Sequence, residues 1–411
     1  MNTTKLSLSR RGFLRKALAA PVGAALVPSL VAQSTGRAES TETPASTPVP
    51  TRQLGRNGPR VSMLILGGDL AAYSVQHLDF GWSQGIRYFD TAGQYGNGND
   101  ELKVAEWLTK YPERRKDLFL VSKDHPRQGP EQLLDMIDKR LARCKTTYLD
   151  LFLIHGINAR EYGEPSLNWP KSDAFKQVAE KLKSSGKCKM VGFSCHDSQN
   201  VEYLNAAAEG GFLDAIMVKY TPFFAKGDPF DKALDACHQA GIGLIAMKTL
   251  RNAADAPKRL PEFDKLGLTM HQALLHAVWS DSRIAAVCNR MQNFDNILTS
   301  VAAVRSYKTP VKTSHLQLLR EAIMAGGRRA MCPGCPACNQ SGAASDFAFN
   351  DIARFVMYYE QDGNQNARAL YQGLLQQHRD ASKVNLAALR DACRFKTDYP
   401  EIIRRAEMYF A

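Results

Sequence analysis

The sequence predicts an α/β fold, a (β/α)8 TIM barrel with a mostly helical C-terminal extension. Three observations carry that expectation. Short apolar runs alternate without a break with helix-period stretches through the middle of the chain, the pattern of parallel strands joined by crossover helices. Early runs end in or beside polar residues able to do chemistry, Asp90, Lys123 and His155, and a parallel barrel delivers every strand's carboxyl end to one rim. The 411 residues exceed one barrel of about 250 residues and leave room for a leader and a tail.

Residues 1–38 read as a targeting segment. Ser9-Arg10-Arg11-Gly12-Phe13-Leu14-Arg15 resembles the twin-arginine export signature, and a moderately apolar run from Ala17 to Ala32 leads to a small-residue site near Ala38. Pro21 and Pro28 interrupt that run, so cleavage and release are expected rather than a stable membrane span. The export machinery is then a partner, and the periplasm or another exported location the destination. The leader's basic residues, Lys5, Arg10, Arg11, Arg15, Lys16 and Arg37, face no acid among the first 38, so its removal halves the formal net charge of +12. The remaining basic excess suits an anionic cofactor; without basic clusters interleaved with aromatics it does not point to nucleic acid. Hydrophobic residues at 44% support a sizeable core.

Residues 39–52, rich in Ser, Thr and Pro, read as a linker. Leu54-Gly55-Arg56-Asn57-Gly58 has the turn chemistry of a hairpin, and Val61 to Leu66 is the expected first barrel strand, ending at Gly67-Gly68. The other strands are expected near Ile86–Phe89, Leu118–Ser122, Leu149–Ile154, Met190–Phe193, Ala215–Val218, Gly243–Ala246 and Ile284–Ala286. Helical spacing falls near 71–83, 99–110, 130–144, 173–185, 198–209, 231–240, 269–279 and 293–304. The barrel thus covers 53–306 and the extension 307–411.

The chemistry centres on Phe89-Asp90-Thr91-Ala92-Gly93-Gln94-Tyr95-Gly96. It places a carboxylate at a strand end and, five residues on, a tyrosine in a glycine-flanked loop. A phenol has an ordinary pKa of about 10, and a nearby lysine ammonium is expected to lower it. Asp90 would orient Lys123, and Tyr95 could then give a proton to a carbonyl oxygen.

These residues resemble the aldo-keto reductase family. FDTAGQYGNGNDE at Phe89 to Glu101, the VSK ending at Lys123 and DLFLIHG at Asp150 to Gly156 look like its three catalytic segments, in order. The resemblance implies a catalytic tetrad: Tyr95 as general acid, Lys123 as its modulator, Asp90 as partner of Lys123, and His155 as orienter of the substrate carbonyl. It also implies a nicotinamide cofactor, NADP(H) in preference to NAD(H), on the later strand ends. Gly67 with Gly68 faces substrate and cofactor, where missing side chains would let a ligand approach. Ser194 matches the first residue of the carboxamide-binding Ser-Asn pair, and Cys195 departs from the second. Met217 stands where a glutamine is usual. Met247-Lys248 replaces the stacking aromatic and serine, a thioether still being able to cover a ring. Asn289-Arg290-Met291-Gln292-Asn293 resembles the adenine-phosphate loop, with Thr299 and Ser300 departing from it. Arg290 either clamps a phosphate or is a solvated surface arginine.

In the tail, Cys332-Pro333-Gly334-Cys335-Pro336-Ala337-Cys338 supplies three quarters of a bacterial ferredoxin ligand run. Position 342, where the fourth cysteine would fall, is glycine. The tail resembles the ferredoxin-like extension of one aldo-keto reductase branch, with Tyr399-Pro400 where a final Cys-Pro would stand and Cys393 one residue out of register. Four readings stay open: one 4Fe-4S cluster with Cys393 or an outside group as fourth ligand, a zinc ion with a histidine, disulfides, or vestigial thiols. Cys144, Cys188, Cys195, Cys237 and Cys288 are expected to be small buried hydrophobes.

The sequence therefore points to an exported NADP(H)-dependent oxidoreductase acting on a small carbonyl or alcohol. The alternative is a barrel that has lost turnover and binds partners through its tail.

Overall fold

The computed structural model describes residues 47–69, 73–249, 259–326, 332, 334–335, 337–344, 346–393 and 395–411. The leader and the linker as far as residue 46 lie outside the described residues.

Order begins earlier than the composition of the linker suggests. Strands β1 (Thr51–Gln53) and β2 (Arg60–Ser62) pair antiparallel, Arg52 opposite Val61. Arg52 anchors them: its guanidinium donates to the carbonyls of Trp279, Asp281 and Ile284 at 3.0, 3.2 and 2.7 Å. The expected run Val61 to Leu66 is thus shared between the hairpin and the barrel. The hairpin turn lies under the barrel's N-terminal end, where Arg56 N–H donates to Gly241 O at 2.8 Å. Leu54 is wholly buried there. A side chain at Gly243 would meet Leu54 Cδ1 at 2.5 Å, so only glycine lets the plug seat.

Eight parallel strands close above this plug: β3 (Leu64–Gly67), β4 (Tyr88–Asp90), β5 (Phe119–Asp124), β6 (Leu149–Ile154), β7 (Cys188–Cys195), β8 (Ala215–Lys219), β9 (Gly243–Met247) and β10 (Ile284–Asn289). Each pairs with the next in sequence, and β10 pairs with β3. Side chains alternate inward and outward along each strand. Ile65, Tyr88, Val121, Leu151, Leu153, Met190, Met217 and Ile245 fill the interior, while Leu64, Leu66, Phe89, Phe152 and Phe193 face the helices. Two residues beyond Tyr88, Val121 and Leu153 stand Asp90, Lys123 and His155, so the same alternation turns all three into the mouth.

The surrounding helices are α1 (Val75–Ser83), α2 (Asn99–Lys110), α3 (Leu133–Cys144), the short α4 (Ala159–Tyr162), α5 (Asp173–Ser184) and α6 (Asn200–Gly210). They continue with α7 (Pro229–Gln239), the short α8 (Pro261–Asp264), α9 (Met270–Trp279) and α10 (Phe294–Ser306). Capping fixes several starts: Ser172 accepts from Phe175 N–H, and Thr269 forms a reciprocal box with Gln272.

The tail contributes α11 (Thr313–Gly326), α12 (Ala337–Gln340), α13 (Phe349–Asp362), α14 (Asn366–Gln372), α15 (Leu386–Ala392) and α16 (Tyr399–Phe410). Its core gathers Phe349, Ile352, Val356, Tyr371, Leu389, Phe395, Ile402 and Phe410. Helix α9 serves two cores. Leu275, Val278 and Trp279 pack into the barrel, whereas Met270, Ala273, Leu274 and Ala277 pack against the tail. A helix apolar on all sides is stable only when covered on all sides.

Among the described residues no helix is long and apolar enough to cross a membrane.

Candidate active site

The loop after β4 is built to present a phenol. Gly96, Asn97 and Gly98 run consecutively at φ 56°, 56° and 83°, a left-handed stretch that bulky residues resist. It turns the half-buried Tyr95 back over the barrel mouth.

Lys123 joins the site together. Its ammonium, 1% exposed, donates to Asp90 at 2.8 Å, to Thr91 O at 2.9 Å and to Tyr95 OH at 3.2 Å. An ammonium has three donors, and all are used. The His155 ring stands edge-on to Tyr95, with centroids 5.3 Å apart. The expected tetrad is therefore assembled by the fold.

One expectation about it is corrected. Burial, then the Asp90 carboxylate, pushes the Tyr95 phenol well above its ordinary pKa rather than below it. The phenol is held protonated, which suits a donor. Lys123 acts instead on the phenolate that forms as the proton leaves. Burial, Lys123, His125 and Lys248 hold the His155 imidazole well below its ordinary pKa, so it is neutral.

A second ring of contacts orients His155. Nδ1 lies 2.9 Å from Gln94 Oε1. Tyr162 OH donates to His155 O at 2.8 Å and, having one proton, must accept from His125 Nδ1 at 2.7 Å. Asp100 is buried, its Oδ2 accepting Asp69 N–H at 2.6 Å. Burial raises its carboxyl to about 6. Gln94 and Asp100 lie within the segment Phe89 to Glu101, but neither sits at a strand end, so the sequence assigns them no role of their own.

The residues expected to hold a dinucleotide are less uniform. The glycine pair serves the chain's own packing: a Cβ at Gly67 would stand 3.0 Å from Asn289 O, and one at Gly68 would stand 2.8 Å from Asp90 O and Tyr95 Cδ2. Ser194 is buried, its hydroxyl accepting Gly156 N–H at 2.8 Å. Met217 lies one layer below the mouth, 1% exposed, and Lys219 occupies the top of that strand. Met247 is likewise part of the packed interior. Lys248 adopts a left-handed φ of 60° and hydrogen-bonds the Tyr358 phenol of α13. Arg290 is half-buried, and Asn293 caps α10 by accepting Asn296 N–H at 2.9 Å. Lys248 directly follows β9 and Arg290 directly follows β10, two cations of the sign that suits an anionic dinucleotide.

Cys288 corrects another expectation. It is partly exposed, with Sγ 3.7 Å from Asp90 Oδ2, whereas Cys144, Cys188, Cys195 and Cys237 are buried as expected.

Among the described residues no disulfide joins any of the cysteines, so the disulfide reading of the tail gains no support. Among the described residues no three His, Cys, Asp or Glu side chains form a group that could hold a metal ion, so the zinc reading of Cys332, Cys335 and Cys338 gains no support. A cubane spreads its thiolates farther apart than one ion does, so it needs a separate test. Here the Tyr399 phenol stands beside the thiols, donating its one proton to Cys332 Sγ at 2.9 Å. The run does not fit a cluster as it stands.

The aldo/keto reductase family profile matches residues 72–314. The chain is 30% identical over 183 residues to methylglyoxal reductase YeaE of Escherichia coli (strain K12), covering 44% of this chain and 58% of that protein. It is 33% identical over 129 residues to glyoxal reductase of Bacillus subtilis (strain 168), covering 30% of this chain and 41% of that protein. The chain thus spans less than two thirds of each relative. A crystal structure of an aldo-keto reductase from Klebsiella pneumoniae in complex with NADPH superposes with a TM-score of 0.52 at 23% identity, over 66% of this chain and 94% of that one.

Proposed function

This chain belongs to the aldo/keto reductase family, and on that footing we propose that it is an exported NADP(H)-dependent reductase or alcohol dehydrogenase, using Tyr95 as the proton donor and acceptor. The observation that carries the reading is the Lys123 ammonium lying between Asp90 at 2.8 Å and Tyr95 OH at 3.2 Å. Packing alone gives no reason to bury a cation there, and desolvating an ammonium is costly unless it is paired.

Bound nicotinamide supplies or takes the hydride. The rest falls to this chain. The neutral His155 positions the carbonyl oxygen next to Tyr95, and the phenol delivers its proton as negative charge builds on that oxygen. Lys123, kept charged by Asp90, stabilises the phenolate left behind, and in the alcohol direction the same groups work in reverse. NADP(H) is favoured by Lys248, Arg290 and the α10 N-terminus, and by likeness to the NADPH-bound Klebsiella enzyme. Two similar proteins are named for reducing methylglyoxal and glyoxal, so small 2-oxoaldehydes are the first substrates to assay. No step passes through the tail, and an iron–sulfur cluster on Cys332, Cys335 and Cys338 is not required by this chemistry.

Tyr95→Phe tests the reading directly. The variant should keep its circular dichroism and its nucleotide binding while turnover falls about 10²- to 10⁴-fold, the usual worth of a positioned proton donor. Full turnover in a folded, cofactor-bound variant would overturn the role given to Tyr95, whereas a native protein that neither binds nucleotide nor turns over would favour a binding scaffold. Export is tested by fractionating cells. Replacing both Arg10 and Arg11 with Lys should leave the chain in the cytoplasm, and unchanged release would sink the leader assignment.

A further inference from the structure

We infer that the C-terminal extension folds without an iron–sulfur cluster, because the Tyr399 phenol occupies the corner that a fourth thiolate would need. In the bacterial ferredoxin run the fourth cysteine stands directly before a proline, and in two-cluster proteins that cysteine reaches across from the other run. Here the residue before Pro400 is Tyr399. Tyr399 is 2% exposed, and its ring packs edge-on against Phe349 at 5.2 Å. Its hydroxyl donates to Cys332 Sγ at 2.9 Å, so the oxygen lies against the first thiol of the run.

Cys393, one residue out of register with the ligand run, belongs to the same core, and its Sγ accepts Thr397 N–H at 3.3 Å within its own turn. Cys332, Cys338 and Cys393 are each 5–7% exposed and belong to one apolar core with Phe347, Phe349, Leu389 and Phe395.

The pocket nevertheless retains a counter-charge. Lys219, 6% exposed, donates to Asn350 Oδ1 at 3.0 Å, and the same oxygen lies 3.7 Å from Cys332 Sγ. The ammonium rises from the barrel strand β8 beneath the tail's thiols with a neutral amide as its partner in that bond. A thiolate cluster would profit from such a cation, so one substitution should open the site: Tyr399→Cys.

The full chain, produced in iron-replete cells and purified without air, is assayed for iron and acid-labile sulfide, then again after anaerobic reconstitution with ferrous iron and sulfide. The native protein should hold well under one iron per chain in both cases. Tyr399→Cys should take up roughly four irons and four sulfides and show the broad visible absorption of sulfide-to-iron charge transfer. Tyr399→Phe, which keeps the ring and loses the hydroxyl, should stay iron-free. A native protein carrying a full cluster overturns the inference, and so does a folded Tyr399→Cys that binds no more iron than the parent. Should Tyr399→Cys fail to fold, thermal melting of the native chain with and without an iron chelator decides. Equal midpoints uphold a metal-free tail, and a fall on chelation refutes it. None of these readouts involves turnover, so the outcome is independent of the reductase reading.

Discussion

Gln94 reaches the chemistry through His155. An imidazole bonded at Nδ1 has its tautomer set by that bond. A side-chain amide can offer either its oxygen or its nitrogen, so Gln94 can fix whether Nε2 accepts or donates. Gln94→Leu should mix the two tautomers and lower kcat/KM about tenfold, or 1.4 kcal/mol of transition-state stabilisation. Nitrogen-15 spectra of His155 read the tautomers directly, and an unchanged ratio would rule out the role. Asp100 gives a prediction about stability. Its folded pKa of about 6 exceeds the ordinary 3.8, so between these values the folded chain keeps a proton that the unfolded chain has released. Stability therefore falls as pH rises through that window. Asp100→Asn keeps an acceptor for Asp69 N–H and removes the cost, and should gain about 1–3 kcal/mol at pH 8 and nothing at pH 3.5. Urea unfolding at the two pH values checks this, and an equal gain at both would count against it. The tetrad was legible because four chemically distinctive side chains follow strands whose alternation aims three of them inward. Gln94, Asp100 and Lys219 were not, because their roles depend on neighbours that only the closed barrel and the docked tail bring near.

At the level of elements, helix α2 starts and stops where its sequence indicates, at Asn99 and Lys110. The strand β1 was hidden by its composition, since Ser, Thr and Pro around Thr51 resemble a solvated spacer. What orders it is remote: three carbonyls more than 220 residues away that bind one guanidinium. Arg52→Ala should cost about 2–3 kcal/mol, because those carbonyls lose a charged donor in a partly buried place. A urea midpoint unchanged from the parent would show the hairpin to be ornamental. The glycine pair after β3 teaches a related lesson. Bareness at Gly67 and Gly68 reads as room for a ligand, and the chain's own packing needs it too, because an added Cβ would meet Asn289, Asp90 and Tyr95. A sequence shows that a side chain is missing but not what fills the gap.

For the molecule as a whole, the barrel was legible and its union with the tail was not. Periodicity within α9 reveals an apolar helix but cannot say that two different cores claim its two faces. Because both lean on the same helix, barrel and tail should melt in one step. Calorimetry should give a single peak whose measured and van't Hoff enthalpies agree, and two resolved peaks would contradict it. Lys248 and Tyr358 add a polar tie across the same seam, at the rim where the reaction is proposed to occur.

The shared helix also bears on how the chain is born. A ribosome that has just released Ser306 has made every strand of the ring, yet Met270, Ala273, Leu274 and Ala277 still wait for a cover that ends only at Phe410. Until then the nascent protein shows water a greasy flank, the kind of surface that draws holdases or other unfinished copies. Chains stalled at that point should be retained by such helpers, whereas chains allowed to finish should slip free.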